Sequence, residues 1–112
     1  MPLLSIRTNS QINDKKELAL EASKQTAKIL GKPESYVMVS IEDNQALIFA
    51  GNEQPAAYVE LKSLGLPEAQ TPDLSSSLCA FINERLGIDS ARIYIEFSNA
   101  ERHMWGWKDA TF

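Results

Sequence analysis

From Leu3 to Arg7 the chain is short and mostly apolar, starts directly after Pro2 and stops at the polar run Thr8-Asn9-Ser10-Gln11, a pattern that predicts a first strand. From Asp14 to Leu30 the positions Leu18, Ala22, Gln25/Thr26 and Ile29 recur at helical spacing. Glu17 follows Asp14 as in a capping box, and Gly31 with Pro33 closes the helix. Tyr36 to Glu42 alternates, with Val37, Val39 and Ile41 on one face, and Asp43-Asn44-Gln45 predicts a turn into a second apolar strand, Ala46 to Ala50, as a hairpin. After the punctuation Gly51 to Pro55, the segment Ala56 to Leu64 puts Ala57, Val59 and Leu61 on one face and Tyr58, Glu60 and Lys62 on the other, again a strand. Thr71 is the expected N-cap of a second helix with Pro72 at its first position. Leu74, Leu78, Phe81/Ile82 and Leu86 hold helical register to Gly87. Arg92 to Phe97 predicts a further strand, and the aperiodic tail from Asn99 to Phe112 a turn and a short edge strand.

The two halves echo each other. Leu30-Gly31 followed by Tyr36-Val37-Met38-Val39 recurs 56 positions later, half of the 112-residue length, as Leu86-Gly87 followed by Arg92-Ile93-Tyr94-Ile95. A duplicated strand-helix-strand unit with right-handed crossovers places both helices on one face of one sheet. The expected fold class is therefore α+β: a two-layer α/β sandwich, a duplicated β-α-β unit with two helices on a four-stranded mixed sheet, spanning 1–112 as a single domain. The other sheet face, with Tyr58 and Tyr94, is expected to be too apolar for water and to be covered by other subunits.

Composition narrows the function classes. Hydrophobic residues at 44% and charged residues at 23% are those of an ordinary globular chain, so disordered, collagen-like and coiled-coil classes are disfavoured. With 11 Lys+Arg against 15 Asp+Glu, the net charge of −4 makes nucleic acid an unfavoured partner. A single cysteine, Cys79, and a single histidine, His103, leave neither an internal disulfide nor a metal-ligand cluster, so no metal and no cofactor is expected. There is no secretory pattern in Met1 to Arg7 and no apolar run of about 18 residues, which predicts a soluble cytoplasmic protein without a membrane partner. Cys79 on the second helix is expected to be a buried small hydrophobe and His103 to face solvent, while Ser75-Ser76-Ser77 and Asp14-Lys15-Lys16-Glu17 read as solvated faces.

Phosphate loops, nucleophile elbows, zinc-protease and dithiol motifs are all absent. The useful chemical signal is Pro2. Removal of the preceding methionine would leave a secondary amine at the start of a strand. The ordinary α-amino pKa is roughly 7.7 to 8.0, and burial or a nearby cation lowers it, so such an amine beside a lysine would be partly neutral and able to take a proton near pH 7. The alternative for Pro2 is a tolerated second residue with no chemical role.

Several separate stretches, in order, resemble the macrophage migration inhibitory factor family of the tautomerase superfamily. They are Met1-Pro2 with its strand, Thr8-Asn9, Gly31-Lys32-Pro33 with Tyr36-Val37, Ser63-Leu64-Gly65, Glu84-Arg85-Leu86 with Arg92-Ile93-Tyr94-Ile95, and the ending Gly106-Trp107-Lys108-Asp109-Ala110-Thr111-Phe112. The resemblance implies a homotrimer with active sites between subunits and a keto-enol tautomerase acting on phenylpyruvate-like aromatic 2-oxo acids or quinone-like substrates. It implies Pro2 as general base, Lys32 and the Leu64 amide as carboxylate binders, and Tyr94 as a residue supplied by the neighbouring subunit. Tyr36, Trp107 and Phe112 match aromatic or rim positions that would hold a flat ring, with core or interface packing as their alternative; Lys32 has helix capping as its own.

Three departures from the family pattern stand out. Glu96 occupies a position where many members carry a neutral Asn, which implies an extra negative charge near the site. Ala56-Ala57-Tyr58-Val59 stands where the animal cytokine has a dithiol pair, and an arginine expected near Gln11-Ile12 is missing. The sequence admits two other readings: a cytokine-like signalling protein with a vestigial pocket, for which secretion without a leader stays open, and a superfamily decarboxylase or dehalogenase in which Pro2 acts as an acid with help from Glu96.

Overall fold

The structure, a computed structural model, describes residues 1–112. The first half runs β1 (Leu3–Thr8), α1 (Lys15–Leu30) and β2 (Met38–Glu42), and the second repeats it as β3 (Ala57–Leu64), α2 (Thr71–Leu86) and β4 (Ile93–Ala100). Both boundaries of α2 lie 56 residues beyond those of α1, and a 3₁₀ turn at Glu34–Tyr36 recurs at Ser90–Arg92 with the same offset. β1 pairs parallel with β2 and β3 parallel with β4, while β1 and β3 join the halves antiparallel, giving the strand order β2-β1-β3-β4. This is the expected mixed four-stranded sheet carrying two helices.

Alternation along the strands sets the core. Leu4 and Ile6 of β1 and Val59 and Leu61 of β3 point to the helical layer, where they meet Leu18 and Ala22 of α1 and Leu74, Leu78 and Ile82 of α2. Burying each such side chain is worth roughly 1.5 to 3 kcal/mol, so this seam holds the layers together. The Asp14 carboxylate accepts the Glu17 amide at 3.0 Å at the start of α1, as the capping pattern requires. α1 ends on Gly31, whose φ of 63° is the left-handed geometry that turns the chain back toward β2.

Three expectations are corrected. Residues 46–50 form no strand of the sheet and no hairpin with β2; Phe49 makes only a single bridge to Asn52. Side chains take up the carbonyls of this loop instead. Asn9 donates to Leu47, Glu53 and Gln54, and the Arg92 guanidinium donates to Phe49, Gln54 and Pro55. With its backbone satisfied in this way the segment needs no strand partner. Thr71 is not a cap: it has helical backbone angles, and its hydroxyl donates to the Glu68 carbonyl at 3.0 Å because a 3₁₀ turn, Glu68–Gln70, runs directly into α2. The C-terminal tail adds no strand to the main sheet. It forms its own small hairpin, β5 (Gly106–Trp107) with β6 (Ala110–Thr111), turned by Lys108 and Asp109 at φ 54° and 63°.

The open sheet face is also less apolar than the pattern suggested. Leu3, Met38, Tyr58 and Tyr94 share it with Arg7, Glu42, Glu60, Lys62 and Glu96, among which Arg7 pairs with Glu42 at 3.4 Å and Lys62 with Glu60 at 3.3 Å. On this face the most exposed large apolar side chains are Met38 and Tyr94, joined by Ile48 on the neighbouring loop, each about two-thirds exposed. No helix is long and apolar enough to cross a membrane.

Candidate active site

The antiparallel register sets the end of β3 beside the start of β1: Leu3 lies opposite Lys62, which brings Leu64 and Gly65 next to Met1 and Pro2. Lys32 arrives from the other side, immediately after the left-handed Gly31, with its own amide bonded to Ala27 at 3.0 Å. These segments, the 3₁₀ turn that carries Tyr36, Arg102 and Phe112 line an open cleft of about 520 Å³.

Pro2 is fully buried and does not itself line the cleft; its carbonyl accepts the Met38 amide at 3.0 Å, which anchors the first residues to β2. Met1, ahead of it, lines the cleft. The pKa of the Met1 amine is held below its ordinary value, first by burial and then by the positive charge of Lys32. An amine at this wall is therefore more readily neutral than one in water.

Lys32 Nζ donates to the Leu64 carbonyl, tying together two residues the sequence separates by 32 positions. Neither Lys32 nor Arg102 forms an ion pair with an acidic side chain. No Asp or Glu side chain lines the cleft, to which Lys32 and Arg102 bring positive charge. At the mouth, Trp107 stacks on Phe112 with centroids 5.6 Å apart and a 12° interplanar angle, and meets Tyr36 edge-on at 5.9 Å. Trp107 braces the two lining aromatics without lining the cleft itself.

Tyr94 and Glu96 do not reach this cleft within the chain. Tyr94 belongs to a separate apolar hollow with Ile48, Phe49 and Tyr58. The Glu96 carboxylate accepts the Tyr58 hydroxyl at 2.7 Å, which raises the Tyr58 pKa above its ordinary value. Arg102 was missed from the sequence, where it stands in a polar turn with no motif around it. Only the tail hairpin returning to the cleft, with Arg102 Nε donating to a main-chain oxygen of the last residue, Phe112, at 3.3 Å, brings it in. Cys79 is half-buried and packs against the core rather than being fully enclosed. His103 is exposed, 3.5 Å from Glu101. No group of three or more His, Cys, Asp or Glu is placed to hold a metal.

The arrangement can hold a flat anion: cations for a carboxylate, aromatic rings at the mouth, and an amine of lowered basicity at the wall. Comparison with known proteins agrees with this architecture. The family model described as macrophage migration inhibitory factor (MIF) matches residues 1–112. A macrophage migration inhibitory factor homolog from Trichinella spiralis is 36% identical over 114 residues, covering all of both chains. Among solved structures, the homologue from Prochlorococcus marinus superposes with a TM-score of 0.92 at 39% identity, covering 98% of each chain. The Trichinella spiralis factor superposes with a TM-score of 0.93 at 35% identity, covering 98% of this chain and 99% of that one. With a match over its full length and the duplicated β-α-β architecture in place, the chain belongs to the macrophage migration inhibitory factor family.

Proposed function

We infer that the protein is a keto-enol tautomerase for phenylpyruvate-like aromatic 2-oxo acids. The observation that carries this reading is the cleft beside the N-terminus, lined by Lys32 and Arg102 and by no Asp or Glu side chain, beneath a cluster of aromatic rings. Removal of Met1 exposes the Pro2 nitrogen as a secondary amine. In its neutral form it takes a proton from the enol hydroxyl or the α-carbon and returns it to the other atom, so the reaction is redox-neutral and balances without a co-reactant. Lys32 and the Leu64 amide hold the substrate carboxylate, and the Lys32 charge also favours the neutral amine. Tyr36 and Phe112, braced by Trp107, hold the ring. Proton transfer of this kind contributes roughly 10² to 10⁴ in rate, with positioning supplying the rest.

The test is enol-to-keto conversion of phenylpyruvate by the purified protein, with intact mass recording whether Met1 is present. Protein lacking Met1 should turn the substrate over and protein retaining it should not, because an acylated proline nitrogen has no basic lone pair. Equal rates in the two forms would overturn the proposal.

The same reading makes the protein a homotrimer in which Tyr94 of one subunit completes the cleft of the next. It is supported by the exposed Met38, Ile48 and Tyr94, which a neighbour would cover. Sedimentation should then give the mass of three chains, and a monomer would sink the assembly.

A further inference from the structure

Alternation on β3 sends Ala57, Val59 and Leu61 to the helical layer, and Ser63 takes the next position on that face, fully buried. A hydroxyl set where its neighbours are apolar costs stability unless it is hydrogen-bonded, so packing alone does not account for it. Its hydrogen bond goes to the Leu64 carbonyl, at 3.1 Å, the oxygen to which Lys32 Nζ also donates.

We propose that Ser63 is a positioning residue for Lys32: by sharing the Leu64 carbonyl it loosens the hold of that oxygen on the ammonium, and it keeps the oxygen satisfied when the ammonium turns to a carboxylate in the cleft. The assignment rests on the reading of Lys32 as a carboxylate binder and does not need the tautomerase chemistry.

A carbonyl oxygen has two lone pairs, and here a neutral and a charged donor meet on one such oxygen. An acceptor shared between two donors holds each less firmly than it would hold either alone. The carbonyl is not free to turn away instead. The chain leaves it through Gly65 at φ 62°, and the Leu66 amide donates to the side-chain oxygen of Asn99 on β4 at 3.1 Å, which pins the far side of the turn. Lys32 enters no ion pair with an acidic side chain, so the Leu64 carbonyl is the protein group that competes with a bound carboxylate for its ammonium. Leu64 is itself buried. Without the Ser63 hydroxyl, turning Lys32 to a carboxylate strips this carbonyl of its side-chain donors, and an orphaned buried acceptor opposes that step.

The experiment is a double-mutant cycle of Ser63→Ala and Lys32→Ala. It is read by kcat and KM for phenylpyruvate and by amide chemical-shift titration with 3-phenylpropanoate, an arylcarboxylate of the same length without the oxo group. Ser63→Ala should raise KM and the dissociation constant roughly five- to tenfold, the lower end of what an orphaned acceptor costs, with kcat changed by less than about twofold. In the Lys32→Ala background the same substitution should move neither constant by more than about twofold, because no ammonium is left to release. Ser63→Cys, close in volume but a weaker donor, should fall between the wild type and Ser63→Ala, and it carries the test if Ser63→Ala does not fold.

Equal losses with and without Lys32 would make Ser63 a packing residue and overturn the proposal, as would unchanged affinity in Ser63→Ala. A Lys32-dependent loss of 3-phenylpropanoate binding, with phenylpyruvate not converted, would sustain the Ser63 assignment while removing the tautomerase reading. Turnover of phenylpyruvate with no coupling between Ser63 and Lys32 would do the reverse. No binding of 3-phenylpropanoate by the wild type overturns the Ser63 assignment together with the carboxylate role of Lys32.

Discussion

Replacing Pro2 by Gly should reduce kcat/KM for phenylpyruvate by roughly 10² to 10⁴, the share that a positioned general base contributes. The Pro2 carbonyl bond to the Met38 amide is a main-chain contact that glycine retains, so the first strand should stay paired and the variant should fold. What is lost is the fully buried ring that holds the nitrogen in one place. An alanine inserted between Met1 and Pro2 should cost as much by a different route, because the proline nitrogen becomes an amide and the free amine moves one residue outward. Stopped-flow rates on folded, correctly assembled protein check both variants. Full activity in both would remove Pro2 from the mechanism.

Lys32→Ala is expected to act on binding and on protonation together. Loss of a charge-assisted hydrogen bond worth about 1.5 to 3 kcal/mol corresponds to roughly a 10- to 150-fold rise in KM for an arylpyruvate. The second effect has a definite sign. The amine is active when neutral, so the rate rises as pH passes upward through its pKa. At the Met1 amine burial and then the Lys32 charge lower the pKa, and on a Pro2 amine beside Lys32 the same two causes would act in the same direction. Removing the lysine should therefore move the acid limb of the kcat/KM profile to higher pH, yet short of an exposed amine, because burial remains. Lys32→Arg should recover part of both effects. An acid limb and a KM that both stay in place would show that Lys32 only caps α1 and ties down Leu64.

Glu96 illustrates how a residue can match a family position and still change its meaning. On sequence grounds its charge would oppose Lys32 at the site. In the chain it lies on the open face of β4 with its carboxylate bonded to Tyr58 on β3, and it does not line the cleft. Within the chain the Tyr58 hydroxyl already occupies one of its carboxylate oxygens.

The amino-acid sequence by itself determined the elements whose information is local. Apolar spacing marks α1 and α2, the alternation of β1 and β3 marks the core face, and the offset of 56 marks the duplication that yields the mixed sheet. It failed at residues 46–50 because the groups that decide their conformation, Asn9 and Arg92, stand far away along the chain. It failed at Thr71 because a preceding 3₁₀ turn took over the capping role. For the cleft, Lys32, Leu64, Tyr36 and Phe112 were legible as residue types in familiar stretches. That they share one hollow was decided by the register of Leu3 opposite Lys62 and by the return of the tail hairpin. Arg102 was invisible for the same reason: its place at the cleft comes from the return of the tail hairpin and a bond to Phe112, both products of segments meeting in space. Local periodicity writes secondary structure into a sequence, whereas the charge balance of a site depends on which distant side chains the tertiary fold brings in and which it keeps out.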